Sequence, residues 1–121
     1  MPVIRVEVPE GTPQETKKRI REGVKQAVLK TLAPKEIKYD YVAVREAFGE
    51  IGDGLPLVTV DLRPGREAER KKALVDAIAN ILQIELGVVP TDLYVLFREN
   101  PAENHYTGGT QLPPWVAADI V

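Results

Sequence analysis

The sequence predicts an α+β fold: two tandem β-α-β units forming a four-stranded mixed sheet with two helices on one face. Three observations predict it. First, the chain repeats. Shifted so that Pro2 falls on Pro56, it also brings Val6 onto Val60, Gly11 onto Gly65, Glu15 onto Glu69, Lys17-Lys18 onto Lys71-Lys72 and Leu32 onto Leu86. Second, apolar positions keep phase through that shift, Ile4 with Val58, Val24 with Ile78 and Val28 with Leu82, as a duplicated structural unit requires. Third, the pattern in each copy changes from a period of two to a helical period and back, which is the signature of strand, helix and strand.

The first strand alternates Ile4, Val6 and Val8 with Arg5 and Glu7, the period of a half-buried strand. Thr12-Pro13-Gln14-Glu15 then reads as a helix start, with Thr12 as N-cap, Pro13 in the first turn and Glu15 closing a capping box. Ile20, Val24, Ala27, Val28 and Leu32 line one face of that helix, and Pro34 ends it. A second strand follows near 39–46. The glycine-bearing segment 48–54 links the units. The second copy reads as a strand at about 57–62, a helix at about 67–86 with Leu74, Ile78, Ile81 and Leu82 inward, and a strand at about 93–98. Gly108-Gly109 marks a short hairpin, and Pro113-Pro114-Trp115 a docking arm with Trp115 as a packing anchor. The expected organisation is one domain over 1–121: repeat one at about 2–52, repeat two at about 56–105, and an arm at 106–121. A crossover of this kind pairs its strands in parallel. Sheets with parallel strands seldom leave a face bare, so the helix-free face is expected to be covered by other subunits.

Composition excludes several classes of function. With 16 basic and 18 acidic residues the formal charge is -2, which argues against a dedicated nucleic-acid binder. The run Lys17-Lys18-Arg19 with Arg21 reads as a solvated helix face. Without cysteine there is neither a disulfide framework nor thiol catalysis. No apolar run reaches membrane-spanning length and no signal peptide opens the chain, so a cytoplasmic location is expected, with no membrane partner. The one histidine, His105, has no companions at metal-ligand spacing, so neither a metal nor a cofactor is expected.

Met1-Pro2-Val3-Ile4 running to Glu10-Gly11, the paired lysines, Pro34 and then Phe48-Gly49-Glu50-Ile51-Gly52 resemble the 4-oxalocrotonate tautomerase family. Two such units in one chain resemble the fused members of that superfamily, including its chloroacrylate dehalogenase and macrophage-inhibitory-factor branches. The resemblance implies a homotrimer, a small carboxylate substrate, and Pro2 as the catalytic group. The chemistry is sensible from the residue upward. With Met1 removed, Pro2 carries a secondary amine. Burial and neighbouring cations disfavour its protonated form, so it can serve as a general base near neutral pH.

The resemblance also picks out Arg63 and Arg66 in Leu62-Arg63-Pro64-Gly65-Arg66, which look like the carboxylate clamp of cis-3-chloroacrylic acid dehalogenase. A guanidinium binds a carboxylate bidentately and stabilises a developing enolate. The bland alternative pairs Arg66 with Glu67 or Glu69 and leaves Arg63 in solvent. Where small tautomerases carry a second arginine, this chain has Tyr41 and Tyr94; Tyr94 resembles the tyrosine beside the proline in the macrophage-inhibitory-factor branch. Phe48 and His105 complete the expected substrate-binding set. The helix-borne histidine and the late glutamate of the cis dehalogenase are missing, with Ala27 or Val28 and Thr107 near those places. Keto–enol tautomerisation needs fewer groups and is the expected reaction. A hydratase, dehalogenase or decarboxylase of the same superfamily, or a non-catalytic trimeric binding protein, are the alternatives.

Overall fold

In the computed structural model, which describes residues 2–32, 41–47 and 56–116, the order is β1 (Val3–Val8), α1 (Gln14–Thr31), β2 (Val42–Glu46), β3 (Leu57–Leu62), α2 (Ala68–Leu86) and β4 (Tyr94–Glu99). A two-strand hairpin, β5 (Tyr106–Thr107) and β6 (Thr110–Gln111), follows. The four long strands form one sheet in the order β2-β1-β3-β4. β1 pairs in parallel with β2, and β3 in parallel with β4. The two units meet through the antiparallel pair β1–β3, with Val3 opposite Asp61 and Glu7 opposite Leu57. This is the mixed sheet expected from the repeat.

The internal symmetry reaches single residues. β1 and β3 share one burial alternation, with Ile4, Val6 and Val8 in one and Val58, Val60 and Leu62 in the other inside the core. Both helices lie on that side. Ile20, Val24 and Val28 from α1 and Leu74, Ile78 and Leu82 from α2 are fully buried against it. The helices approach closely at Gly23, where a Cβ would stand 3.1 Å from Ile81 Cδ1. Gly11 and Gly65, equivalent under the repeat, both have positive φ, 92° and 125°, a backbone state glycine adopts without steric cost.

The start of α1 differs from the capping box expected of its sequence. The helix begins at Gln14 with Pro13 in the cap position and no side-chain cap bond. The Thr12 hydroxyl instead donates to the Pro9 carbonyl at 2.7 Å, closing the preceding turn. A β-turn with glycine at its third place competes for that hydroxyl and wins. β2 begins at Val42; Pro34, Phe48 and the rest of the linker lie outside the described residues. The basic run on α1 is solvated but not idle. Lys17 reaches Glu46 on β2 at 3.7 Å, and Arg19 reaches Glu85 on α2 at 2.8 Å.

The sheet face without helices carries Val3, Arg5 and Glu7, then Leu57, Thr59 and Asp61, then Tyr94, Leu96 and Arg98. Tyr94 is 64% exposed and Leu96 43%, an apolar edge on a single chain. Among the described residues no helix is long and apolar enough to cross a membrane.

Two isoleucines of α2 separate packing from propensity, since Ile78 is fully buried and Ile84 is 71% exposed. Ile78→Ala is expected to cost about 2–5 kcal/mol in urea unfolding, and Ile84→Ala about 0.5 kcal/mol or less. Equal losses would mean that α2 packs by another face.

Candidate active site

The antiparallel β1–β3 pair fixes which groups share an end of the sheet. Pro2 precedes Val3, which is opposite Asp61, so Pro2 comes level with Leu62 and one residue from Arg63. Pro2 is buried. The same end receives Tyr41, whose carbonyl accepts the Ile4 N–H at 3.0 Å, and the C-terminal end of β4 with Arg98, Asn100 and His105 beyond it.

Asp61 is a carboxylate of this end, and it is fully engaged. Arg98 binds it through Nε and Nη2, both at 2.9 Å, and Arg5 donates from Nη1 at 2.9 Å. The Asn100 side-chain amide adds a longer bond of 3.4 Å. The Arg98 hydrogen bonds, above all, hold the Asp61 carboxyl below the usual aspartate range, against a smaller opposing push from burial. An ionised carboxylate shared by two guanidiniums is a poor proton acceptor. His105 places Nε2 3.1 Å from the Asn100 carbonyl, which occupies that nitrogen as a donor.

Arg66 stands apart from every other cation here. It is 5% exposed, and its Nε donates to the Leu32 carbonyl at the C-terminus of α1, 3.0 Å away. The expected alternative of an ion pair with Glu67 or Glu69 is not formed; Arg70 takes Glu67 instead. Nη1 and Nη2 of Arg66 are buried with no hydrogen-bond partner. Trp115 lies over the guanidinium, its ring centroid 4.4 Å from Cζ, and over Arg70 at 5.6 Å. Burial, then the charges of Arg63 and Arg70, pull the Arg66 pKa down to about 10. It remains a cation at neutral pH, in a place that disfavours one.

The arm that carries Trp115 is pinned at several points. Leu112 N–H donates to the His105 carbonyl at 2.8 Å, Arg63 Nη1 donates to the Pro113 carbonyl, and the indole packs on Gly65. Arg63 is therefore not a free surface residue, and burial lowers its pKa as well. The packing role expected of Trp115 is present inside the chain, with an arginine as its partner.

Of the residues singled out from the sequence, Pro2, Tyr41, Arg63, Arg66 and His105 share this end. Tyr94 does not. It pairs with Leu57 at the opposite end, beside Pro56, and could meet Pro2 only through a second copy of the chain. Phe48 lies outside the described residues. The network of Arg5, Asp61, Arg98 and Asn100 escaped the sequence reading. Its signal was there: Arg5, Asp61 and Arg98 sit at outward positions of three adjacent strands, and only their register makes them neighbours. The bond from Arg66 to Leu32 had no sequence signal of its own.

The repeat supplies an internal control at the Pro56 end. Pro56 has an amide nitrogen, Thr12 stands in the place of Arg66, and Pro9 in that of Arg63. An open cavity of about 440 Å³ lies there, lined by Thr12, Pro56, Leu86, Val88, Val89 and Asp92 among others. Another, of about 240 Å³, lies between α1 and β2 along Lys17, Lys18 and Arg21. Neither is at the Pro2 end, where the arm fills the equivalent space.

No curated protein matches the chain in sequence. Residues 56–112 match the family model described as Tautomerase enzyme. Solved structures share the fold across most of the chain. A structure of Pt0534 inactivated by 2-oxo-3-pentynoate is 21% identical, with a TM-score of 0.79, over 97% of this chain and 97% of that chain. Two fused 4-OT structures, the native form and the R7 asymmetric trimer, are 22% and 21% identical, with TM-scores of 0.78 and 0.70, each over 90% of this chain and 94% of that chain. A structure of FG41 malonate semialdehyde decarboxylase inhibited by 3-bromopropiolate is 20% identical, with a TM-score of 0.72, over 89% of this chain and 91% of that chain. Relatives with this fold thus span more than one reaction.

The pairing of Asp61 makes stability depend on acid. Its folded pKa lies below its unfolded one, so its contribution is complete above the ordinary aspartate value and is lost as pH falls through the depressed one. Asp61→Asn is expected to unfold at lower urea than the parent at neutral pH, with the gap closing below about pH 4. A gap that persists unchanged at pH 3 would assign the effect to shape instead of charge. Gly65→Ala places a methyl 3.2 Å from the indole at a φ of 125°. It is expected to shift the emission of the single tryptophan to the red as Trp115 is displaced toward water; an unchanged spectrum would mean that the arm does not depend on this contact.

Proposed function

We propose that this chain, whose second unit belongs to the tautomerase family, is a keto–enol tautomerase of a small 2-oxo acid and its 2-hydroxy-enoic tautomer, with the free amine of Pro2 as the general base. The observation that carries the proposal is Arg66. A buried guanidinium with two unpartnered donors costs free energy unless an anion meets it, and it stands at the end of the sheet where Pro2 lies.

The substrate carboxylate accepts from Arg66 Nη1 and Nη2 in a bidentate pair. Arg63 is the second cation at hand, once it leaves the Pro113 carbonyl. Pro2 nitrogen takes the enol hydroxyl proton, the enol electron pair moves toward carbon as the carbonyl forms, and the same nitrogen returns the proton to that carbon. Atoms and charge balance without an oxidant or a metal. With Met1 removed, the buried position of Pro2 disfavours a protonated amine, as a base active near neutral pH requires. Tyr41 and His105 are the remaining candidates for contact with substrate.

Hydration, as a hydratase or dehalogenase would need, requires an acid or base to activate water. Of the carboxylates at this end, Asp61 is tied to Arg98 and Arg5, and Glu99 to Lys71. That observation favours tautomerisation. The assembly proposed with it is a homotrimer, with the helix-free face and Tyr94 and Leu96 covered by neighbouring chains. In such an assembly Tyr94 of one chain comes within reach of another chain's Pro2 only across a subunit boundary.

Three measurements test this reading. Processed protein should convert 2-hydroxymuconate or phenylenolpyruvate, followed by ultraviolet absorbance, while Pro2→Ala and a form retaining Met1 should not; equal turnover with and without Met1 would exclude Pro2 as the base. Arg66→Ala should lower kcat/KM for carboxylate substrates by about 2–3 kcal/mol and for uncharged enols by much less. An equal loss on both would make Arg66 a structural residue. Sedimentation equilibrium should give three chains per particle, and a stable monomer at micromolar concentration would remove the assembly.

A further inference from the structure

The guanidinium of Arg66 has one edge left for a ligand. Nε is committed to the Leu32 carbonyl, so only the fork of Nη1 and Nη2 remains. A carboxylate held by that fork lies in the guanidinium plane. Trp115 lies over the same plane, with its centroid 4.4 Å from Cζ. The indole is 9% exposed and rests on Gly65, where a Cβ would stand 3.2 Å from it. The stack is therefore built into the backbone at both of its sides.

From this geometry we propose that Trp115 is the specificity-determining residue of the carboxylate site: it selects acids whose carbon frame is flat and conjugated with the carboxylate, and admits them when the arm lifts and Arg63 leaves Pro113. The inference rests on the carboxylate site of the proposed function and names its ligand class. A conjugated chain stays coplanar with its carboxylate and runs on beside the indole. A saturated chain turns out of that plane at its first carbon and meets the ring edge-on or leaves it. The arm must lift because both free donors of Arg66 are buried beneath it. Its ties include one backbone bond from Leu112, the Arg63 bond and the indole stack, of which a bound carboxylate competes directly for the second. Proline at 113 and 114 keeps the arm stiff, so it moves as a unit.

Trp115 is the one tryptophan of the chain, so its fluorescence reports this site alone. The probes are sorbate and hexanoate, acids of equal charge and carbon number, one conjugated and one saturated. Calorimetry on processed protein is expected to show sorbate binding roughly three- to tenfold more tightly than hexanoate, the range of an aromatic stacking contact. Saturation with sorbate should change Trp115 emission. Trp115→Leu should bring the two acids to equal affinity, Trp115→Phe should keep part of the preference, and Arg66→Gln should abolish binding of both. Equal affinities in the parent protein, a preference that survives in Trp115→Leu, or sorbate binding that leaves the emission unchanged would each overturn the proposal. Should Trp115→Leu not fold, the parent titrations and Trp115→Phe still decide. A protein that turns over enols but shows no preference loses this inference alone. One that binds sorbate as expected yet turns over no enol keeps it and loses the tautomerase reading.

Discussion

The antiparallel contact between β1 and β3 is the constraint on which the rest of the molecule depends. Each β-α-β unit has a sheet edge and a helix face that it cannot satisfy alone. Joining the units through their first strands merges two short parallel pairs into one sheet and places both helices over a common core. It also sets the ends. Because β1 and β3 run oppositely, the beginning of the first unit meets the turn after the first strand of the second. Pro2 and the Arg63–Arg66 turn become neighbours by topology, before any side chain is considered.

Duplication then creates two equivalent ends, and substitution separates them. The glycine turns are alike, the strands bury the same positions, and a proline begins each first strand. Yet the second unit's turn carries arginines where the first carries Pro9 and Thr12. Thr12 spends its hydroxyl on its own turn and leaves open space above Leu86. Arg66 crosses the corresponding space to the end of α1 and takes up the Leu32 carbonyl, one of the acceptors a helix terminus leaves unsatisfied. The turn at one end has two arginines and a potential amine beside it; the turn at the other has neither.

Charge distribution at the Pro2 end shows two ways of managing arginine. Arg5 and Arg98 converge on Asp61, where hydrogen bonds and opposite charge lower its pKa and lock the strand ends together. Arg66 has no carboxylate and is stacked under an indole, with its pKa drawn down to about 10. The first arrangement is internally complete and serves the fold. The second is incomplete as it stands, and an anion in the fork would satisfy its remaining donors while leaving the bond to Leu32 in place. Arg63 links the two regions, since its partner is a carbonyl of the arm and can be exchanged.

The sequence by itself determined the fold class, because a repeat that keeps phase through strand, helix and strand leaves few ways to bury its apolar faces. Ile4, Val6, Val8, Val24, Ile78 and Leu82 were legible as core from periodicity, and all are fully buried. Pro2, Arg63 and Arg66 could be singled out mainly through the family resemblance that their motifs carry. What only the tertiary structure decided is how those residues stand to one another. Local signals at Thr12 favoured a helix cap, and a turn took the hydroxyl. The place of Tyr94 at the far end follows from strand direction, and the stack of Trp115 on Arg66 joins the C-terminal arm to the middle of the chain. Such contacts depend on strand register and on the path of the arm, both set by packing over long separations in sequence, and no local pattern of residues encodes them.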